Sequence, residues 1–268
     1  MNKDYKPLNL VISGTYSTGK TTTTTALSIA TGIPMINALS AREILTDLYP
    51  GRRFQDMNLT ELMALGLKRM EERIKAEAEL DTLQKGFISD GSVLNEWIYG
   101  TVRLKIGINP GAAFFHQMVK AVLGIPAKSF LKKYMQAYEQ VVSLHTERTY
   151  THVVHLPIEF EMKKDGHRPV SEKYRQISEV DIRQEFAKYH FPQYEVRGTQ
   201  EERLEQIIDW LDLPVVVPIQ EAVLRAEKII ATNREAVSKK IIEQYEKPTL
   251  KRKSKNTFKI LKSEALPC

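Results

Sequence analysis

Gly14-Thr15-Tyr16-Ser17-Thr18-Gly19-Lys20-Thr21 fits the spacing G-x-x-x-x-G-K-[ST] at every fixed position. Leu8 to Ser13, just before it, is a short apolar run that reads as a buried strand. Thr21 to Ala30, just after it, reads as a helix closed by Gly32. Between a strand and a helix, the backbone N–H groups of such a loop can cradle phosphate oxygens above the positive end of the helix. Gly14 and Gly19 let the backbone approach without a Cβ in the way. Gly14, Thr15, Tyr16, Ser17, Thr18, Gly19, Lys20, Thr21 and Thr22 are therefore expected to bind phosphates. Lys20 would reach the β- and γ-phosphates, and the Thr21 hydroxyl would hold Mg²⁺. The plainer alternative is a glycine turn between strand and helix.

The 268 residues suffice for one large domain or two small ones, and an apolar fraction of 42% supports a sizeable core. No apolar run reaches the length of a membrane span, and Met1 to Pro7 lacks the pattern of a signal peptide. The single cysteine, Cys268, excludes an intrachain disulfide and a Cys-based zinc site, so a reducing cytoplasm is the expected compartment. The net charge of +6 is unevenly placed. Residues 247–268 carry seven Lys and Arg against Glu264, which leaves residues 1–246 neutral. The basic tail reads as flexible and suited to polyanions by a salt-sensitive route. A nucleic-acid-binding role would rest on that tail alone.

Further along, Ile33 to Asn37 reads as a second strand, and Ser40 as the cap of a helix beginning at Ala41. Leu62, Leu65, Met70 and Ile74 fall at helical spacing, with the charges from Lys68 to Glu79 as the solvent face. Phe87-Ile88-Ser89-Asp90 is a short strand ending in a carboxylate. Asp90 should therefore face the Gly14 loop, because ligands of open α/β sheets bind at the carboxyl ends of strands. Helices are expected over 92–104, 112–124, 128–146 and 201–213, and strands at Thr151–Pro157 and Gln193–Gly198. This alternation predicts an α/β chain with a parallel sheet covered on both faces. Residues 219–246 read as one long helix whose Ala222, Leu224, Ile229, Ile230, Val237, Ile241 and Ile242 could dock on the body or on a partner.

Three further pieces join the loop: Ala41-Arg42-Glu43, Asp165-Gly166-His167-Arg168 with Arg175, and Gly198 followed by Glu202-Arg203. Together, over about residues 8–213, the chain resembles the P-loop kinase domain of NadR-type ribosylnicotinamide kinases and related small AAA-type ATPases. The resemblance implies a P-loop NTPase fold of nucleoside- or nucleotide-kinase type with a helical insertion. With the break at Pro214–Pro218 and the charged tail, the chain divides into a kinase-like domain at 1–213 with a lid at about 163–178, a helical extension at 214–246 and a tail at 247–268. It implies that Arg168 and Arg175 close over ATP and stabilise the transferring phosphoryl group, which suits guanidinium chemistry. A solvated charged loop is the other reading of that segment. The sequence departs from the family at Leu39-Ser40, where Glu-Tyr is usual, and at Asp90-Gly91-Ser92, where a second charged residue is usual. Both changes fall where an acceptor would sit.

Asp90 reads as a general base or a Mg²⁺ ligand with Thr21, or else as a cap of the following helix. Arg42 and Glu43 read as acceptor contacts or as a surface pair. His152 and His155 lie on a strand at odd spacing and should not share a metal. Trp97, Tyr99, Phe114 and Phe115 read as core, or as the aromatic wall of an acceptor pocket. The leading expectation is a phosphotransferase with ATP as donor, Mg²⁺ as cofactor, a small hydroxyl-bearing, nucleoside-like acceptor, and Lys20, Asp90, Arg168 and Arg175 as catalytic groups. The alternative is a nucleotide-dependent regulatory ATPase or GTPase without a small acceptor.

Overall fold

Each residue of β1 (Asn9–Ser13) is buried, as suits a central strand with the apolar run Leu10-Val11-Ile12 at its middle. The computed structural model describes residues 7–36, 38–39, 41–52, 57–83, 85–106, 125–161 and 171–246. After β1 come α1 (Lys20–Thr31), α2 (Ala41–Leu48), α3 (Leu59–Thr82), β2 (Phe87–Asp90), α4 (Val93–Ile106) and α5 (Ile125–Thr149). They are followed by β3 (His152–His155), α6 (Glu172–Phe186), β4 (Gln193–Glu195), α7 (Gln200–Leu211) and α8 (Ile219–Glu246). The strands form one parallel sheet in the order β2-β1-β3-β4. The strand order reverses at β1, which has β2 on one side and β3 on the other, so a crevice opens at its carboxyl end, where the glycine loop begins.

Period-two alternation assigns the strand residues to two layers. Leu10 and Ile12 pack with Ala26, Leu27, Leu204 and Ile207 on the α1/α7 side. Val11 packs with Phe87, Leu94, Val142 and Ile182 on the side of α3 to α6. The expected strand at 33–37 is reduced to one parallel bridge, Met35 to Ile88. The Ile88 amide donates to the Pro34 carbonyl and the Ile36 amide to the Ile88 carbonyl. Pro34 has no N–H to extend the ladder, and Asn37 lies outside the described residues.

The run Thr21 to Thr25 is helical despite its β-branched side chains, because tertiary contacts hold it. Thr23 Oγ1 donates to Gln200 Oε1 of α7 at 2.8 Å, while within α1 itself Thr25 Oγ1 donates to the Thr21 carbonyl at 2.8 Å. Capping boxes open α3 (Asn58 with Glu61) and α7 (Thr199 with Glu202). Pro126, between the helices expected at 112–124 and 128–146, lies in the first turn of α5, where a missing N–H costs little. The helix expected at 112–124 lies outside the described residues.

The apolar positions of α8 divide. Ala222, Val223, Ala226 and Ile230 are buried, the first three in the same core as Leu10 and Ile12, whereas Leu224, Ile229 and Ile242 are exposed. The amides of Val216 and Val217 both donate to the Ala30 carbonyl, which ties the Pro214–Pro218 segment to the end of α1. The first half of α8 thus shares the core of residues 1–213.

Candidate functional site

Gly14 has φ 139°, and a Cβ there would stand 2.4 Å from the Leu156 carbonyl oxygen; Gly19 has φ 96°, with the Gln200 amide and the Arg203 guanidinium within 3 Å of any added Cβ. Only glycine fits either position. The five carbonyls between them each accept a side-chain hydrogen bond. Tyr99 donates its hydroxyl to Gly14 O at 3.0 Å. Thr18 Oγ1 and Lys20 Nζ donate to Thr15 O at 3.1 and 2.5 Å. Arg175 donates to Tyr16 O through Nε at 2.9 Å and to Ser17 O through Nη2 at 3.4 Å. Arg203 Nη1 donates to Thr18 O at 2.7 Å.

At the first turn of α1 the Thr21 hydroxyl donates to Asp90 Oδ2 at 2.6 Å. The loop and the end of β2 therefore bring together the two residues assigned to Mg²⁺ from sequence. Asp90 does not cap α4: Ser92 Oγ takes that place, accepting from the Asn95 amide at 3.2 Å. Thr21 and Asp90 offer hard oxygen donors side by side. Among the described residues no three His, Cys, Asp or Glu side chains converge. That donor set fits Mg²⁺, which is usually held by one or two carboxylates together with waters and substrate phosphates.

The turn after Asp90 is gripped from α3. Arg73, buried, donates to Ser89 Oγ at 2.8 Å, Asp90 O at 3.0 Å and Gly91 O at 3.2 Å, and faces Glu96 at 3.5 Å. One helical turn away, Glu77 is fully buried, accepting from the Tyr150 hydroxyl at 2.8 Å and meeting His145 at 2.7 Å. One turn the other way, Arg69 pairs with Glu96 at 2.6 Å. The expectation that Lys68 to Glu79 all face solvent is therefore corrected. Glu71, Lys75 and Glu79 do, but Arg69, Arg73 and Glu77, each four residues apart, form an inward charged stripe.

Arg69 and Glu96 open onto a cleft of about 110 Å³ between α3, α4 and α5, beside Tyr16 of the loop. Leu62, Met63 and Met135 supply apolar wall, and Tyr99, Tyr134 and Tyr138 the aromatic part. Tyr16 and Tyr99 lie 4.6 Å apart between ring centroids. The Tyr134 and Tyr138 hydroxyls are buried without a hydrogen-bond partner among the described residues. Burial raises the pKa of both, and that of Tyr99 well above its ordinary value, with Tyr16 and Glu96 adding to the last. All three phenols are thus neutral near pH 7 and can donate hydrogen bonds.

The other residues singled out from sequence fall as follows. Arg42 and Glu43 open α2, which packs Ile44 and Leu45 against Leu65 behind the cleft wall; the Arg42 side chain lies outside the described residues. Arg168 also lies outside them, as do Phe114 and Phe115. Arg175 is not on a lid. It sits in the first turn of α6, 1% exposed, with its guanidinium on the carbonyl side of the glycine loop. Residues 172–178 are likewise the start of a packed helix, with Tyr174 and Ser178 buried. His155 pairs with Glu179 at 2.7 Å, while His152 meets Thr151. Sequence reasoning missed Arg69, Arg73 and Glu96; their signal was the i, i+4 spacing of charges among apolar residues on α3.

A family model described as an AAA domain matches residues 9–203. The chain belongs to this AAA domain family. Among solved structures it is similar to deoxyadenosine kinase from M. mycoides. With dATP bound, that protein superposes at a TM-score of 0.54 and 17% identity, over 76% of this chain and 100% of the other. With products dCMP and a flexible dCDP bound, the TM-score is 0.52 at 15% identity, over 76% and 99%. A search of curated proteins finds no significant match. The parallel sheet, the glycine loop and these neighbours establish an α/β P-loop NTPase fold. NadR-type specificity is not among these findings. No helix of the described residues is long and apolar enough to cross a membrane.

Proposed function

We propose that this AAA-domain chain is an ATP-dependent small-molecule kinase acting on a hydroxyl-bearing, nucleoside-like acceptor. The observation that carries the reading is the adjacency of two sites. The glycine loop, with Lys20, Thr21 and Asp90, is suited to a nucleotide triphosphate, and Tyr16 of that same loop forms part of the wall of an aromatic cleft. Phosphoryl transfer needs the acceptor oxygen in line with the γ-phosphate, so an acceptor site must border the loop.

In this reading the loop amides and Lys20 hold the triphosphate. Thr21 and Asp90 would hold Mg²⁺, which neutralises charge on the β- and γ-oxygens when bound. Tyr16, Tyr99 and the apolar wall sandwich a planar acceptor. Arg69, Glu96 and the unpartnered Tyr134 and Tyr138 hydroxyls orient its polar groups. The acceptor oxygen bonds to the γ-phosphorus, the γ–β bridge bond breaks, and ADP leaves. The acceptor proton passes to Asp90 or to water. A nucleoside-like acceptor is supported by this mixture of aromatic faces and hydrogen-bonding groups, and by the likeness to a deoxyadenosine kinase. A role for Arg168 at the transferring group stays with the sequence resemblance.

The exposed Leu224, Ile229 and Ile242 on α8 favour the alternative of a regulatory ATPase that meets a macromolecule. One experiment separates the two: ADP release measured with ATP alone and with a panel of nucleosides, the products read by mass spectrometry. A phosphorylated nucleoside and acceptor-dependent ADP release are expected. Slow ADP release unaffected by every acceptor would refute the kinase reading.

A further inference from the structure

We infer that Arg175 and Arg203 are positioning residues that set the phosphate-binding face of the glycine loop by holding its carbonyls. The inference rests on the nucleotide-binding reading above. In a trans peptide the C=O of one residue and the N–H of the next point in opposite directions. Fixing the carbonyls of Gly14 to Thr18 on the protein side therefore turns the amides of Thr15 to Gly19 toward the hollow side. Gly14 and Gly19 both have positive φ, as does Ser17 at 59°, so this backbone is not held by repeating secondary structure. Its alignment comes from the side chains behind it.

Three of those five carbonyls belong to the two arginines. Arg175 takes Tyr16 O and Ser17 O, and Arg203 takes Thr18 O. The other two depend on Tyr99, and on Thr18 with Lys20. Lys20 is a phosphate ligand in the proposed function, so its bond to Thr15 O would give way to the phosphates. The arginines have no such second duty. Arg175 is 1% and Arg203 0% exposed, and each guanidinium is anchored from behind. Arg175 Nη2 also donates to Phe160 O at 2.7 Å, and Arg203 Nη2 meets Glu159 at 2.5 Å while stacking over the Phe160 ring at 5.5 Å. Glu159 and Phe160 thus fix both guanidiniums. A planar fork of several donors suits this task; a lysine ammonium is a single point and cannot span three carbonyls. Two buried cations would be a costly way to secure folding alone, since an apolar pair of similar volume does as well or better.

The test uses the full chain and two probes, ATP with Mg²⁺ and inorganic tripolyphosphate, with affinities measured by calorimetry and melting temperature recorded for every variant. The variants are Arg175→Met, Arg203→Met, Arg175→Lys and, as a destabilised control, Ile182→Ala in the core away from the loop. Both methionine variants should lose about tenfold in affinity for both probes, the equivalent of one misdirected charge-assisted hydrogen bond. Equal factors for the two probes are expected, because only the phosphate donors are displaced. Arg175→Lys keeps the charge and the fold but should recover only part of the loss. Ile182→Ala should bind within about twofold of wild type despite its lower melting temperature. Arginine variants that bind tripolyphosphate as wild type does, or lose no more than Ile182→Ala, would overturn the inference. Full rescue by Arg175→Lys would do so as well, by assigning the effect to charge. Should Arg175→Met not fold, Arg175→Lys still decides; should Arg203→Met not fold, Arg203→Lys decides in the same way. Wild-type protein that binds neither probe would instead remove the nucleotide-binding reading beneath it.

Discussion

Replacing Arg73 by Met should destabilise the protein and misplace Asp90. The side chain is buried and offers its guanidinium to Ser89 Oγ, Asp90 O and Gly91 O at 2.8 to 3.2 Å. Methionine fills much of the volume and none of the donor positions. Glu96 keeps Arg69 at 2.6 Å, so it is not left as an unpaired buried charge. The loss is then three hydrogen bonds from a charged donor, each worth roughly 1 to 1.3 kcal/mol once the apolar packing is credited, or about 3 to 4 kcal/mol together. For a chain of this size that is a melting shift of roughly 6 to 16 °C. Urea unfolding followed by circular dichroism should show a lower midpoint at an unchanged slope. The turn at Gly91 also fixes the carboxylate that meets Thr21, so kcat should fall more than ATP affinity. Arg73→Lys should keep part of both. A loss below about 1 kcal/mol in Arg73→Met would refute the view that this guanidinium holds the strand end.

Lys20→Ala should leave the fold intact and lower turnover by roughly 10² to 10³, as removal of a preorganised charge contact does elsewhere; turnover within about threefold of wild type would contradict the phosphate-loop reading. Asp90→Asn keeps the shape and loses the charge, so kcat should drop with little change in ATP affinity, and an unchanged kcat would leave Asp90 as a partner of Thr21 only. Buried Tyr99, Tyr138, Tyr150 and Tyr174 all have pKa values raised first by burial. Above pH 10 the unfolded chain ionises these phenols while the folded one does not, so stability falls with rising pH. The expected loss is about 5 kcal/mol in total between pH 9 and 11, steepening as the pH rises, and chemical denaturation across that range checks it; a flat profile would exclude the burial of these four. Truncation after Glu246 removes the whole net charge of +6, so heparin retention at low salt should weaken while ATP binding persists. Loss of ATP binding would show that the tail contributes to the site.

The parts of this molecule readable from sequence are those fixed by local chemistry. The glycine loop demands a strand before it and a helix after it, and β1 and α1 stand there. The carboxylate after Phe87-Ile88-Ser89 meets Thr21 because parallel strands of one sheet end on one side. The cleft is harder to read, since its wall joins residues 62–69, 96–103 and 131–138 from three helices, and no local pattern announces such a meeting. The charges of α3 misled for a related reason. A stripe of Arg69, Arg73 and Glu77 has the same period as a solvent face, and only the partners across the interface, Glu96, Ser89 and Tyr150, reveal which way it points. The family resemblance puts Arg175 over the phosphates, whereas the structure puts it on the carbonyl side of the loop. A resemblance carries the arginine to the loop, but whether its guanidinium meets phosphate oxygens or backbone carbonyls depends on the packing of α6.

The placement of the buried charges follows one pattern. Arg73 and Glu77 on α3, Arg175 on α6 and Arg203 on α7 are all nine-tenths or more buried, and none lies in the middle of an apolar cluster. Arg73 sits at the end of β2, with Glu77 one helical turn behind it; Arg175 and Arg203 sit behind the loop that leaves β1. Removing one member of such a network is costly, but the network as a whole, partners included, contributes no more to stability than well-packed apolar side chains in its place would. A fold selected for stability alone would have no reason to gather them at the carboxyl ends of two adjacent strands. The carboxyl end is where the backbone leaves the sheet, its carbonyls lose their ladder partners, and a ligand site needs a defined shape. Multidentate donors from the flanking helices replace those partners. At that end of the sheet the arginines do for the turns what neighbouring strands do for β1, and the phosphate loop and Asp90 take their relative positions from them.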